Sequence, residues 1–310
     1  MASTISHRVA EYLGKELIPW EIISGILHIT LLHESSSSEY LQNILTQSAN
    51  APKNPFDFLL LNTARARSSI VIASGATLRC EGGNPIKLYE PFVDSLIKWR
   101  KGQLGLSLNG TVFIISKSGT LLPSWPIFTT KDALFSPVII THDNVIDQTR
   151  KLFEKGTVRI PVESMSSFSI DQEFESFLKS IKYFLLNSKT DKGEMLYQLP
   201  HPEIPHVITI ESGPTTTRPL YETADGTSRI KDCPIDWLLL TRFSGFISQD
   251  ALGENVLKKS TIEVLFDLVV SSKSVKKITE DTNIGGAGAT STEEMIDNDW
   301  IFELWKRKSI

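Results

Sequence analysis

Short runs of Val and Ile recur along the chain, and segments with a helical spacing of apolar residues lie between them. The runs at residues 69–73, 110–115 and 137–141 are long enough for buried strands and too short for core helices. Buried strands that alternate with helices favour a parallel sheet covered by helices on both faces. The sequence therefore predicts an α/β fold. Further strands are predicted at residues 26–32, 158–162, 207–210, 235–241, 262–270 and 300–306.

The helical segments between these strands are defined by apolar residues three or four positions apart. In the segment at residues 56–67, this spacing predicts that Phe58, Leu61 and Ala64 face the core. Other helices are predicted at residues 9–18, 39–45, 89–99, 145–154 and 174–186.

Composition limits the classes of protein and of partner. The chain has 310 residues, 41% of them hydrophobic and 22% charged, which predicts one globular domain over residues 1–310. Its net charge of −4 provides no positive field for nucleic acid or an anionic membrane, and no apolar run has the length of a membrane span. Cys80 and Cys233 are the two cysteines, so we expect a cytoplasmic protein without a disulfide framework. No metal site is predicted.

Three segments are expected to lie outside the core of this domain. Residues 1–25 are predicted to form a helical extension, and the polar residues 188–205 a surface insertion. Residues 271–298 are predicted to form a flexible loop that contains a Gly-rich stretch. Because Ser291 and Glu294 have the spacing of a capping box, a short helix is expected after Ser291.

Two strand ends carry glycine and hydroxyl residues. The strand at 207–210 ends in Glu211-Ser-Gly-Pro214, and three threonines lead into a predicted helix near 219–224. The strand at 69–73 runs into Ser74-Gly-Ala-Thr77. A glycine turn before a helix directs backbone N–H groups at one point and suits a phosphate, although an ordinary strand-to-helix turn has the same pattern. In an open α/β sheet such ends converge on one edge, where ligands bind.

The segment at 57–79 resembles the helix, strand and Gly-x-Gly-Thr segment of the pyrimidine reductases of riboflavin biosynthesis. Glu211-Ser-Gly-Pro214 is similar to the Glu-Gly-Gly-Pro turn of that family, and residues 235–241 resemble its Asp-Glu-Leu-x-Leu-Thr strand. The likeness extends over roughly residues 26–253. It implies a dihydrofolate-reductase-like, three-layer α/β/α fold with a mostly parallel central sheet and an antiparallel C-terminal strand pair.

The resemblance also implies a cleft that binds NADPH. Lys117 stands where the family holds the adenosine 2′-phosphate, Thr141 and His142 would lie near the adenine ribose, and Arg79 would meet a phosphate of the substrate or cofactor or remain solvated. The family forms dimers through a sheet edge, which implies a homodimer through the strands near Trp237 and Trp300. The implied cofactor-binding residues are Ser74, Gly75, Ala76, Thr77, Ser116, Lys117, Thr141, Glu211, Ser212, Gly213, Pro214 and Thr215.

The sequence departs from the family where catalysis is expected. Without gaps, the family's Ala-x-Ser-x-Asp-Gly segment falls on residues 34–39, where Ser36 keeps the serine and Ser38 stands at the aspartate. His33 and Glu34 lie close by in the sequence, so the catalytic candidates are His33, Glu34, Ser36 and Ser38. Ser212 replaces a glycine of the phosphate turn, and the deaminase metal signature is missing.

Three functional hypotheses follow. The first is an NADPH-dependent reductase of a small, pyrimidine-like heterocycle, for which the ribosylamino-pyrimidinone phosphate of the family is a candidate. The second is a non-catalytic relative that binds NADP(H) or a protein partner, which Ser38 favours because a hydroxyl does not supply the charge of a carboxylate. The third is a nucleotide-binding protein with unrelated chemistry.

Overall fold

A computed structural model of the chain describes residues 20, 23–45, 48–90, 92–130, 133–154, 160–167, 173–187, 206–223, 225–279 and 292–309. For residues 167, 182–187, 272–279 and 292–298 it describes the backbone alone. The predictions for residues 1–19 and for the insertion at 188–205 lie outside the described residues.

The strands of the described residues form one sheet of eleven in the order β10-β11-β8-β1-β7-β3-β4-β5-β6, with β2 pairing β1 and β9 pairing β2. The pairs from β8 across β1, β7, β3, β4 and β5 to β6 are parallel, whereas β11 is antiparallel to both β8 and β10. The predicted α/β class, mostly parallel sheet and antiparallel C-terminal pair are therefore confirmed. The strands are β1 Gly25–Glu34, β2 Tyr40–Ile44, β3 Ile70–Ser74, β4 Gly110–Ile115, β5 Phe135–Thr141, β6 Val162–Ser164, β7 Val207–Glu211, β8 Trp237–Phe243, β9 Leu252–Lys258, β10 Phe266–Thr279 and β11 Thr292–Arg307.

Helices cover both faces of the sheet, because alternate strand residues point to opposite sides. In β1, Leu27 belongs to the apolar cluster that contains the buried residues of α1 and α3. Its neighbour Ile26 belongs to the cluster that contains those of α6, α7 and α8. The described helices are α1 Pro55–Arg67, α2 Gly75–Cys80, α3 Val93–Gly102, α4 Pro126–Thr129, α5 Asp143–Phe153, α6 Phe174–Asn187, α7 Pro214–Tyr221 and α8 Lys259–Leu265. None of these helices has the length and apolar content that a membrane span requires.

Three predictions of local structure are wrong. Residues 40–44 form strand β2 rather than a helix, because their backbone pairs with β1 on one side and β9 on the other. Tertiary pairing of this kind overrides a local spacing. Residues 259–265 form helix α8, with Ile262 and Leu265 buried, so the strand predicted at 262–270 begins only at Phe266. Residues 292–307 form β11 where a short helix was expected after Ser291, and the flexible loop predicted at 271–298 is strand at 271–279 and 292–298.

Two further details differ from the prediction, namely which residues of α1 face the core and where β6 begins. Helix α1 turns Leu59, Leu60 and Ala64 to the core, whereas Phe58 is 37% exposed. Strand β6 begins at Val162, after Pro161, which has no N–H to donate to a ladder; residues 155–159 lie outside the described residues.

A buried arginine fixes the connection from α1 to β3, which leads to the cleft. Arg100 of α3 is 1% exposed, and its guanidinium donates to the carbonyl oxygens of Ala66 at 2.9 Å and Ser68 at 2.6 Å. Carbonyl groups at the end of a helix have no partner within it, so these bonds stabilise the point where α1 stops. Burial, followed by the charge of Arg67, lowers the pKa of Arg100 to about 10, which leaves it charged at neutral pH.

Candidate functional site

A cleft of about 370 Å³ lies at the carboxyl ends of β3 and β7, with α1 and the β2–β9 pair beside it. This volume is in the range of small-molecule sites. Its walls are mainly apolar side chains of β1, β2 and α1. It is lined by Ile29, Thr30, Leu31, Asn43, Ile44, Leu45, Asp57, Leu61, Arg65, Ala76, Thr77, Cys80, Glu81, Ile86, Glu211, Ser212, Gly213, Pro214, Thr215, Gly253 and Glu254.

The two glycine-containing strand ends meet in this cleft. Strands β3 and β7 are parallel neighbours, with Ala73 opposite Glu211 in the register. Their chains therefore leave the sheet side by side, and Ala76 and Thr77 line the same cleft as residues 211–215. We call residues 74–77 together with residues 212–215 the glycine rim.

The first half of the glycine rim is rigid. The Ser74 hydroxyl caps α2 by accepting a hydrogen bond from the Thr77 N–H at 3.0 Å. At Gly75, an added Cβ would lie 3.2 Å from both a Leu121 methyl group and the Ser116 hydroxyl, so glycine allows this close approach of the chains. The residues packed behind Gly75 thus hold the turn in place.

The second half of the glycine rim has space beside it. Gly213 precedes α7, Pro214 occupies the first helical turn, and an added Cβ at Gly213 would meet no atom within 4 Å. The Ser212 hydroxyl is buried and has no hydrogen-bond partner among the described residues. A buried hydroxyl without a partner is costly, and a ligand oxygen at this position would satisfy it.

A buried ion pair anchors the start of this second turn. Arg65 of α1 donates through Nη2 to Glu211 Oε2 at 2.6 Å and through Nε to Glu211 Oε1 at 2.9 Å. The side chains are 7% and 11% exposed. Arg65 Nη1 also donates to the Lys87 carbonyl oxygen at 2.8 Å. Burial lowers the pKa of Arg65, but the charges and hydrogen bonds of Glu211 and Tyr89 together outweigh it, so the net shift of the pKa is upward. The predicted cofactor contact Glu211 is thus committed to Arg65.

Four carboxylates line the cleft, and we call Asp57, Glu81, Glu211 and Glu254 the carboxylate wall. Burial raises the pKa of Asp57 to about 6, against a hydrogen bond with Thr241 that lowers it. Burial also raises the pKa of Glu81; the nearby Arg65 charge lowers it and Glu211 raises it. Carboxyls with raised pKa values in a cleft are candidates for proton transfer.

The sequence reasoning missed Asp57 and Arg65. Both lie in α1, and together with Leu61 they have a spacing of four residues, which places all three on one face of the helix. This spacing is visible in the sequence. Nevertheless, an acidic residue in the first turn and a basic residue in the last turn are also what a helix dipole favours, so the pattern alone did not indicate a site.

The other predicted cofactor and substrate residues lie beside the cleft and are not among its lining. Ser116 is buried next to Gly75, and Lys117 is exposed in the turn after β4. Thr141 is fully buried, and its hydroxyl donates to the Ser116 carbonyl oxygen at 2.7 Å, so it supports that turn. Arg79 is exposed and reaches the Thr120 carbonyl oxygen at 3.4 Å.

The four catalytic candidates are not among the lining residues either. The Glu34 carboxylate pairs with Arg242 at 2.9 Å and with Lys259 at 3.0 Å. The centre of the His33 ring lies 6.4 Å from the centre of the Phe243 ring. The Ser38 hydroxyl donates to the Tyr40 carbonyl oxygen at 3.0 Å. Ser36 is exposed in the turn between β1 and β2. The structure therefore does not bring these groups together with the glycine rim.

Comparison with solved structures identifies the fold. A pyrimidine reductase-like protein from Corynebacterium diphtheriae superimposes with a TM-score of 0.56 and 16% identity, over 96% of this chain and 98% of that chain. The chain has a pyrimidine reductase-like fold. Acinetobacter baumannii RibD gives a TM-score of 0.48 at 10% identity, over 93% of this chain and 59% of that chain. A dihydrofolate reductase from Enterococcus faecalis complexed with NADP(H) gives 0.38 at 9% identity, over 93% and 99%.

No protein-family model matches the sequence, and no curated protein matches it. The assignment of the fold rests on the first of the three structures. The fold that the sequence motifs led us to expect is confirmed by it.

Proposed function

We propose that the protein is an NADPH-dependent reductase of a small heterocyclic compound. The observation that carries this proposal is the convergence of the two glycine-containing turns on one cleft, at the carboxyl ends of the neighbouring strands β3 and β7. Carboxyl ends of parallel strands are the usual ligand site of an open α/β sheet. The likeness in fold to a pyrimidine reductase-like protein supports the same activity.

Residues of the glycine rim would hold the pyrophosphate of the cofactor. The open space at Gly213 lets a phosphate approach the backbone, and the buried hydroxyl of Ser212 supplies a donor without a partner. On this proposal Ser116 and Lys117 would contact the adenosine side, where the Lys117 ammonium attracts a 2′-phosphate.

The bound cofactor supplies a hydride, and the chain has to align the acceptor and provide a proton. A hydride adds two electrons and one hydrogen to a ring carbon, so the neighbouring ring nitrogen or oxygen takes up a proton. Asp57, whose pKa is raised to about 6, is the carboxyl that we assign as the proton donor. The apolar side chains of Ile29, Leu31 and Leu61 would exclude water from the ring.

Calorimetric titration with NADPH and NADH tests the cofactor assignment. We expect NADPH to bind at least about tenfold more tightly, because Lys117 and the turn around it favour an additional phosphate. Lys117→Ala should shrink this preference, whereas Lys151→Ala, a change of an exposed lysine on α5, should leave it intact. Equal affinities for the two cofactors, unaffected by Lys117→Ala, would refute the assignment.

NADPH oxidation with a panel of small heterocycles, among them the ribosylamino-pyrimidinone phosphate, separates the reductase from the non-catalytic relative. Turnover that Asp57→Asn abolishes supports the reductase. Tight NADPH binding without oxidation across the panel favours the non-catalytic alternative.

A further inference from the structure

The charges that line the cleft point to the class of substrate. Of the described residues that line it, four carry a carboxylate and Arg65 alone carries a positive charge. The ribosylamino-pyrimidinone substrate of the family carries a phosphate ester on its ribose, and a phosphate in this cleft would need a cation or a set of donors to balance it. The charge of a ligand that the cleft can bind therefore depends on which of these side chains are already paired.

Arg65 is not available as that cation. All three of its nitrogens donate hydrogen bonds: Nε and Nη2 donate to Glu211, and Nη1 donates to the Lys87 carbonyl oxygen. Its guanidinium also lies 5.6 Å from the centre of the Tyr89 ring. A phosphate that recruited Arg65 would have to break a buried ion pair and leave Glu211 without a counter-charge, which is strongly unfavourable.

Because Glu211 is paired with Arg65, three carboxylates of the wall are left to interact with a ligand. No cation pairs with Asp57, Glu81 or Glu254 among the salt bridges of the described residues. They surround apolar walls formed by side chains such as Ile29, Ile44 and Leu61. An occupant that matches these surroundings has an apolar ring body and an edge that is positively charged or rich in hydrogen-bond donors.

We propose that this cleft takes a basic nitrogen heterocycle that carries no phosphate, with its protonated or amino-substituted edge towards Asp57, Glu81 and Glu254. This proposal rests on the proposed function for its reductive chemistry, but not for its binding preference. Burial raises the pKa of both Asp57 and Glu81, and a cationic ring beside them would lower both. The substrate would then differ from the phosphate ester that the resemblance implies.

Binding of three bicyclic probes of nearly equal size to the full chain, without cofactor, tests the proposal. 4-Aminoquinoline is cationic, quinoline is neutral and quinoline-4-carboxylate is anionic at about pH 7.5, which lies above the pKa of about 6 of Asp57. By calorimetry or ligand-observed NMR, we expect the cation to bind about tenfold more tightly than the neutral ring and the anion to bind most weakly. With NADP⁺ at saturation, so that the glycine rim is occupied, uridine should likewise bind at least about tenfold more tightly than uridine 5′-monophosphate.

Matched variants locate the preference. Glu81→Gln and Glu254→Gln should each reduce the ratio of cation to neutral affinity by about threefold, whereas Glu263→Gln, an exposed carboxylate on α8, should not change it. Tighter binding of the carboxylate or the monophosphate, equal effects of Glu81→Gln and Glu263→Gln, or no binding of any probe at millimolar concentration would overturn the proposal.

The NADPH titration is a separate measurement, so the two ideas fail separately. A cation preference without NADPH binding would remove the reductase and keep the charge-selective cleft. NADPH binding with a preference for the monophosphate would keep the reductase and overturn the substrate class.

Discussion

The glycine rim and the carboxylate wall line the same cleft, yet they differ in how their polar groups are held. The rim consists of backbone turns at the ends of two neighbouring parallel strands, and its glycine at position 213 faces open space. The wall consists of side chains from α1, β7, β9 and the segment after α2, and its member from β7, Glu211, is paired with Arg65. Glu211 joins the two, because its backbone starts the second turn and its carboxylate belongs to the wall.

One cleft can thus present two surfaces that suit ligands of opposite character. Backbone turns and hydroxyls suit a phosphate without any net positive charge. Carboxylates suit a cation or a donor-rich ring. The ion pair between Arg65 and Glu211 keeps the carboxylate closest to the rim neutralised, so that the two preferences coexist.

The largest change in the free energy of unfolding is expected when the ion pair between Arg65 and Glu211 is broken. Arg65→Met leaves the Glu211 carboxylate buried without a partner, so we expect a loss of about 3–5 kcal/mol in the free energy of unfolding. Urea denaturation followed by circular dichroism measures it. The double variant Arg65→Met with Glu211→Leu serves as the control and should recover most of the loss, because no charge is then left unpaired. A loss below about 1 kcal/mol for the single variant would show that the pair does not anchor the rim.

A smaller change, and one that increases stability, is expected when Asp57 is substituted. Because burial raises its pKa to about 6, the folded state binds a proton more tightly than the unfolded chain, and stability falls as pH rises through about 4 to 6. Asp57→Asn removes this penalty, so the variant should be roughly 1–3 kcal/mol more stable than the parent at neutral pH, with no difference below about pH 4.

Thermal unfolding from acidic to neutral pH measures the difference at Asp57, with Asp147→Asn on α5 as a control that changes neither curve. If Asp57→Asn gains stability and also loses NADPH oxidation, the carboxyl is retained for its chemistry rather than for the fold. An equal stability of variant and parent at every pH would contradict the raised pKa.

The smallest effect distinguishes the two halves of the glycine rim. Gly213→Ala should fold normally, since no atom lies within 4 Å of the added methyl group and φ is −68°. It should weaken NADPH binding by about tenfold, because the methyl group occupies the path of the phosphate. Gly75→Ala should instead cost about 1 kcal/mol in stability, since its methyl group meets Leu121 and Ser116 at 3.2 Å.

Melting temperatures and NADPH dissociation constants of both glycine variants make the test. If Gly213→Ala binds NADPH as the parent does, the cofactor does not pass over the second turn.

Much of the fold was predictable from the sequence, because buried parallel strands read as β-branched runs. Strands β3, β4 and β5 lie within two residues of their predicted limits. Strand β2 and helix α8 were not predicted, since their structures depend on partners distant in the chain. Strand β2 forms because β1 and β9 offer their backbone groups on both sides. Such long-range pairing leaves no periodic trace in a segment of five residues.

At the site, the two glycine turns were predictable, because a strand that ends in Gly and Ser or Thr before a helix has a local signature. The residues that share the cleft with these turns depend on how the chain folds. Crossovers place β3 beside β7, and packing turns one face of α1 inward, which brings Asp57 and Arg65 to the turns and leaves Glu34 paired outside. Charge balance in a cleft is a property of groups gathered from distant segments, so it is set when the chain folds and cannot be read from any one of them.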